Sequence, residues 1–343
     1  MNRATRAIAV GLALTVGATG CADDDTADPT VTLMTHDSFA ISDAALAAFR
    51  EQTGVTVELL ASGDTGQMVT EAILTAGNPV ADVMFGVDNT FLQRALDADL
   101  FEPYESPNLA DVDDAFELDP QHRVTPIDYG DVCLNYWVDA LPPGVEPPTA
   151  LDDLTDPAFE GHLVVPNPET SSPGLAFLLA TIAGTDDWEA YWQALRDNDV
   201  SVTAGWEDAY YGDFVAGGGE RSVVVSYASS PPAEVIFAEE PIDEPPTAVL
   251  LDSCFRQIEF AGILAGTDRE DEAARLIDFL LTPTFQDEVP LSMFVFPVAG
   301  SATLPPEFVA HARLAEDPLT LDPAEIEANR NDWTARWTEI VLG

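Results

Sequence analysis

The chain has 343 residues, 46% hydrophobic and 9% aromatic, long enough for two α/β lobes and too apolar for disorder to describe it. Its 61 acidic residues face 13 basic ones, all arginine, for a formal net charge of −48. So few cations argue against nucleic acid and against docking on anionic lipid headgroups, whereas a cationic ligand is favoured on approach.

At the N-terminus, Arg3 and Arg6, an apolar run from Ala7 to Val16 and the small residues Gly17 to Gly20 precede Cys21. This is a processing signal, and the run is far shorter than the ~20 residues a bilayer span needs. It resembles a bacterial lipoprotein signal over residues 1–20, which implies cleavage and a lipidated Cys21 as the membrane anchor. Residues 21–29 then read as an acidic tether.

Beyond the tether, VTLMTH (31–36) predicts a strand, SDAALAAFREQTG (42–54) a helix and VTVELL (55–60) a strand, which together form a βαβ unit. TGQMVTEAILTAGNP continues it as a helix, ADVMFG as a buried strand and TFLQRALDADL as another helix. From DYGDVCLNYW (128–137) a strand leaves the first lobe, and GHLVVPNP, GLAFLLATIAG, WEAYWQALRDN, VSVTAGW, a helix around EDAYYGDFVAGGG, and RSVVVSYASSP build a second series. TAVLLDSCFRQIEFAGIL returns, followed by the helix REDEAARLIDFLL, the apolar MFVFPV and an amphipathic helix in PAEIEANRNDWTARWTEIVLG. The expected fold is α/β and two-lobed, with mostly parallel sheets flanked by helices and two crossing hinge strands. Lobe 1 comprises 30–127 plus 256–298, and lobe 2 comprises 128–255 plus 299–343.

Cys133 and Cys254 remain once Cys21 is set aside. Export to an oxidising compartment favours a disulfide between them, stapling the hinge; two buried thiols are the alternative. The four histidines, His36, His122, His162 and His311, lie far apart without metal-ligand spacing, and no glycine-rich cofactor motif opens a helix. No metal and no cofactor are therefore expected.

Polar residues cluster where strands end: His36, Asp37 and Ser38; Asp88 and Asn89; Ser171 and Ser172 at a helix start; Tyr227, Ser229 and Ser230. Loops beyond strand carboxyl ends form the ligand crevice in open α/β sheets, so these positions are expected to converge. Trp206, Tyr210, Tyr211, Tyr227 and Phe294 lie near loop ends, where aromatic faces can hold a cationic heterocycle. Core packing is the alternative for Phe294 and for Tyr210 or Tyr211.

At MTHDSF, NPVADVMFGVDN, IDYGDVCLNY, TSSPGLAFLL, TAGWEDAYY, SYASSP and TPTFQDEVPLSMFVFPV the chain resembles the thiamine-binding periplasmic proteins of ABC importers. The likeness keeps the same order from about residue 31 to the C-terminus. It implies the class II periplasmic-binding-protein-like fold, capture of thiamine or its phosphates between the lobes, and delivery to a membrane permease and its ATPase. A monomer and no catalysis are expected. The family's aromatic contacts fall on Trp206 and Tyr227, its helix-start phosphate contacts on Ser171 and Ser172, its first-strand loop on His36, Asp37 and Ser38, and its Asp-Asn turn on Asp88 and Asn89. The family often has Tyr where this chain has His36 and Trp where it has Phe294.

Two other readings fit a fold of this kind. A ferric-iron carrier would use paired tyrosines such as Tyr210 and Tyr211. An exported hydrolase acting on thiamine-like compounds would need a nucleophile, for which Cys133 or Cys254 is the thiol candidate.

Overall fold

The computed structural model describes residues 28–343, so the signal segment, Cys21 and most of the tether lie outside the described residues. Among the described residues no helix is long and apolar enough to cross a membrane.

The first half alternates as the βαβ pattern requires: β1 (Thr30–Thr35), α1 (Asp43–Thr53), β2 (Thr56–Ala61), α2 (Thr65–Leu74), β3 (Val83–Asp88), α3 (Leu92–Asp97) and the short β4 (Phe101–Glu102). Ser42 caps α1 through its hydroxyl, and Gly54 ends that helix in the left-handed region at φ 71°. After β5 (Thr125–Trp137) come β6 (Leu163–Pro166), α4 (Ser172–Gly184), α5 (Trp188–Asp197), β7 (Ser201–Thr203), the single turn α6 (Trp206–Asp208), β8 (Val223–Tyr227) and α7 (Pro231–Ile236). The return strand β9 (Thr247–Leu264) is followed by α8 (Glu270–Leu280), α9 (Pro283–Gln286), α10 (Val289–Ser292), β10 (Phe296–Pro297), α11 (Pro306–His311) and α12 (Pro323–Val341).

The helix expected around EDAYYGDFVAGGG does not run through. It breaks into α6, a wide π turn over Ala209–Asp213 and a 3-10 turn over Val215–Gly217. Glycine is a poor helix former, and the backbone folds back so that Gly217 and Gly219 lie against Tyr211 and Asp213. Of MFVFPV, only Phe296–Pro297 pairs with β5, because Phe294 sits in the left-handed region at φ 56° and turns the chain.

Eight strands run in the order β2-β1-β3-β9-β5-β8-β6-β7, with β10 on β5 and β4 on β9. Parallel pairing is confined to the outer strands of each half, β2-β1-β3 and β8-β6-β7. The crossing strands β5 and β9 are antiparallel to each other and to β8 and β3, so the sheet is mixed. Both strands span the two halves: Asp128 opposes Glu259 near the β3 side, and Trp137 opposes Thr247 beside β8.

Cys133 and Cys254 are disulfide-bonded and fully buried where β9 bulges opposite β5. One core, with Leu33, Phe49, Phe85 and Ile277, packs α1 and α8 on the first half; the larger one includes Phe177, Trp192 and Trp337 around α4, α5 and α12. The apolar stripe of α12 thus docks on the second half, and its Arg330 guanidinium lies 5.5 Å over Phe91 of the first.

Candidate functional site

Between the two halves lies a cavity of about 330 Å³, within the range of about 300–1,000 Å³ typical of small-molecule pockets. The first half contributes the loop after β1 (His36, Asp37, Ser38, Phe39), the start of α2 (Asp64, Thr65) and Glu259 of β9. The second half contributes the start of α4 (Ser172, Pro173), Trp206 and Glu207, Tyr210 and Tyr211, and Tyr227 and Ser230 after β8. Phe237 and Phe294 meet edge to face at the rim, with ring centroids 5.7 Å apart.

The aromatic wall joins the segment that follows β7 to the end of β8. Trp206 stacks on Tyr210 with centroids 5.2 Å apart and meets Tyr211 and Tyr227 edge-on at 5.6 and 6.4 Å. Its indole N–H donates to Ser226 Oγ at 3.0 Å, and Ser226 shares a hydrogen bond with Ser230 at 2.8 Å, which fixes the ring. A side-chain relay then crosses the cleft. Tyr227 donates to Gln257 at 2.9 Å, Gln257 to Ser172 at 3.0 Å, Ser172 to Thr65 at 3.3 Å, and Thr65 to the Gly86 carbonyl at 3.0 Å. On the opposite wall a Cβ at Gly86 would strike the His36 ring, so glycine at this position lets His36 lie flat against β3.

The electrostatics are one-sided. Asp37, Asp64, Glu207 and Glu259 line the cavity, no arginine does, and His36 is the one basic side chain among the lining residues. His36 Nε2 lies 3.5 Å from Glu259; burial disfavours its charge, but Glu259, then Asp64 and Asp37, together outweigh this and hold the imidazole above its usual range. Burial pushes Asp64 up, against the hydrogen bonds it accepts. Glu207 is likewise raised, by burial and then by Asp37. Such a lining suits a cation held against aromatic faces.

The α4 start holds an anion, but one belonging to the chain. Asp64 Oδ1 accepts from the N–H groups of Thr65 at 2.6 Å and Ser172 at 3.2 Å, and Oδ2 from that of Trp206 at 3.1 Å. Asp64 therefore caps α2 and bridges both halves. The approach is close: Gly66 N–H donates to the Thr170 carbonyl at 3.1 Å, and a Cβ on Gly66 would fall 2.7 Å from the Glu169 carbonyl oxygen.

Of the positions singled out in the sequence, His36, Asp37, Ser38, Ser172, Trp206, Tyr227, Ser230 and Phe294 line the cavity. Four lie off it. Asp88 is fully buried, accepting from the Thr90 hydroxyl at 2.8 Å and the Phe91 N–H at 3.2 Å. The Asn89 amide is tied to the β9 backbone at Arg256 and Ile258. Ser171 caps α4 by accepting from Gly174 N–H, and Ser229 is fully buried. Asp64, Glu207 and Glu259 were not singled out. Asp64 carried the signal of an aspartate directly before a helix, and Glu259 that of a carboxylate inside the apolar run QIEFAGIL.

The model of the bacterial extracellular solute-binding proteins matches residues 78–329. The chain belongs to this family. Among its relatives, the thiamine-binding periplasmic protein of Escherichia coli is 30% identical over 324 residues, 92% of this chain and 94% of that one. A solved periplasmic thiamin binding protein superposes with a TM-score of 0.79 at 27% identity, covering 92% of this chain and 96% of that one. Iron-bound HitA from Pseudomonas aeruginosa, at 20% identity and a TM-score of 0.73 over 91% of this chain and 99% of that one, shares the two-lobed fold.

Proposed function

We propose that this solute-binding protein captures thiamine between its lobes for an ABC importer. The observation that carries the reading is the cleft itself: the Trp206, Tyr211 and Tyr227 rings face Asp64, Glu207 and Glu259 with no arginine or lysine among the lining residues. A thiazolium cation suits such a lining, since an aromatic contact to a desolvated cation contributes about 2 kcal/mol. The names of the relatives point the same way. Residues 30–127 plus 256–298 and 128–255 plus 299–343 act as the two lobes, with β5 and β9 as the hinge. His36, Asp37, Ser38, Ser172, Trp206, Tyr227, Ser230 and Phe294 contact the ligand, while Asp88, Asn89, Ser171 and Ser229 support those contacts from behind.

Thiamine itself is favoured over its phosphates, because Asp64 already takes the Ser172 and Trp206 N–H groups that would receive a phosphate. The iron reading is weaker, since the Tyr210 phenol donates to Glu234 at 2.7 Å, and burial and then Glu234 push it well above its usual range, away from phenolate. Binding without turnover is supported by the disulfide, which removes both thiols that a cysteine nucleophile would need. Anchored through a lipidated Cys21, the protein would work outside the membrane as a monomer and hand thiamine to a permease and its ATPase.

Titration followed by tryptophan fluorescence tests the site. Trp206→Ala and Tyr227→Ala are each expected to weaken thiamine binding by more than about tenfold without unfolding the protein. Wild-type affinity in both variants would remove the aromatic wall from the site.

A further inference from the structure

The crossing strands carry a row of carboxylates that ligand contact alone does not account for. Asp88 on β3 opposes Glu259 on β9, and Glu259 in turn opposes Asp128 on β5. Side chains directly opposite in antiparallel pairs share one face of the sheet, so the three acids stand side by side. Asp88 and Asp128 are fully buried and Glu259 is 8% exposed, at the inner wall of the cavity. Neither oxygen of Asp128 is donated a hydrogen bond by any described group. The other groups facing Glu259 are His36, Asp37 and Asp64 from the loops after β1 and β2, Glu207 from α6, and the Tyr227 phenol from β8. Arg256, three residues from Glu259 on β9, is held by Asp131 instead.

Asp88 and Asp128, buried beside Glu259 with one imidazole near, resist ionising, because a neighbouring like charge in a poorly solvated setting disfavours the charged form. We propose that Asp128 and Glu259 share a proton in the free protein, and that a cationic ligand binding against Glu259 expels it, so the cleft exchanges a proton for a cation. The shared proton supplies the hydrogen bond that Asp128 lacks. When the ligand's positive charge arrives, the proton leaves to solvent and the charge of the site is conserved. The row thereby makes the cleft select for charge, since a neutral analogue offers nothing to replace the proton. Burial and then Glu259 raise Asp128 well above the usual carboxylate range, consistent with this geometry.

The inference rests on the thiamine reading, and one experiment separates the two. The purified full chain is titrated with thiamine by calorimetry at pH 7 in two buffers of unlike ionisation enthalpy, which counts protons, and then across pH 6 to 8. Release of close to one proton per ligand is expected, with affinity rising by up to about tenfold per pH unit. Asp128→Asn, which leaves the cavity lining unchanged, is expected to bind with the release largely lost. Binding with no proton release and a flat pH profile overturns the exchange while leaving the thiamine reading intact. Undiminished release from Asp128→Asn overturns it as well, by placing the proton elsewhere, with His36 the nearest candidate. Should that variant fail to fold, His36→Gln decides instead: release that persists in it supports the exchange, and release that disappears overturns it by placing the proton on the imidazole. No binding at any pH removes the thiamine reading, and the exchange with it.

Discussion

Asp88 illustrates how one residue can look like a ligand in the sequence and serve another purpose in the fold. It ends β3 as the crevice pattern requires, yet its carboxylate turns to Thr90 and the Phe91 amide at the start of α3. Burial, only partly offset by the Thr90 hydrogen bond and reinforced by Glu259, raises its pKa to about 7 from 3.8. Because the folded pKa lies above the unfolded one, Asp88 contributes fully to stability below about pH 4. That contribution is lost as pH rises through about 7. Asp88→Asn keeps a neutral side chain of the same shape. It is therefore expected to be more stable than the wild type at pH 8, by on the order of 2–4 kcal/mol, and little changed at pH 4. Denaturant unfolding at the two pH values checks this, and an equal difference at both would mean that Asp88 ionises without penalty. Strand-end position was readable from the sequence, but the direction of a side chain at the strand end was not. Asp64 shows the converse: an aspartate before a helix is ordinarily a local cap, and only the tertiary approach of α4 and Trp206 makes it a bridge between lobes.

At the scale of elements, periodicity and caps located the strands and long helices well. The return strand TAVLLDSCFRQIEFAGIL coincides with β9 (Thr247–Leu264), because a long stretch rich in apolar and β-branched residues, free of proline and of glycine clusters, has one good solution in a largely buried sheet. The π turn before the triple glycine was not legible, since its shape depends on Tyr210 and Phe214 packing under Trp206. Pairing direction was also hidden: β-α-β alternation predicts parallel neighbours, whereas β5 and β9 cross between halves and pair antiparallel. The disulfide locks these two strands across a sequence separation of 121 residues. Closing so long a loop restricts the unfolded chain, so the double variant Cys133→Ala/Cys254→Ala is expected to lose about 2–4 kcal/mol of unfolding free energy in denaturant titrations. A loss below about 1 kcal/mol would mean that the β5/β9 ladder holds the hinge without it.

For the whole molecule, the formal net charge of −48 and the acidic cleft act in the same direction. The surface field draws a cation in; on the proposed reading the aromatic wall holds it and contacts from both halves favour the closed arrangement. The scarcity of cations that argued against nucleic acid in the sequence is matched inside the cleft, where Asp64 takes the Ser172 N–H at the α4 start. The central claim is that this cleft binds thiamine, and calorimetric titration of the purified protein with thiamine tests it most directly, with ferric citrate titrated in parallel. A saturable heat at one thiamine per chain, with neither heat nor colour from ferric citrate, is the predicted result. No heat from thiamine together with a coloured iron complex would contradict it and return the protein to the iron-binding branch of the fold.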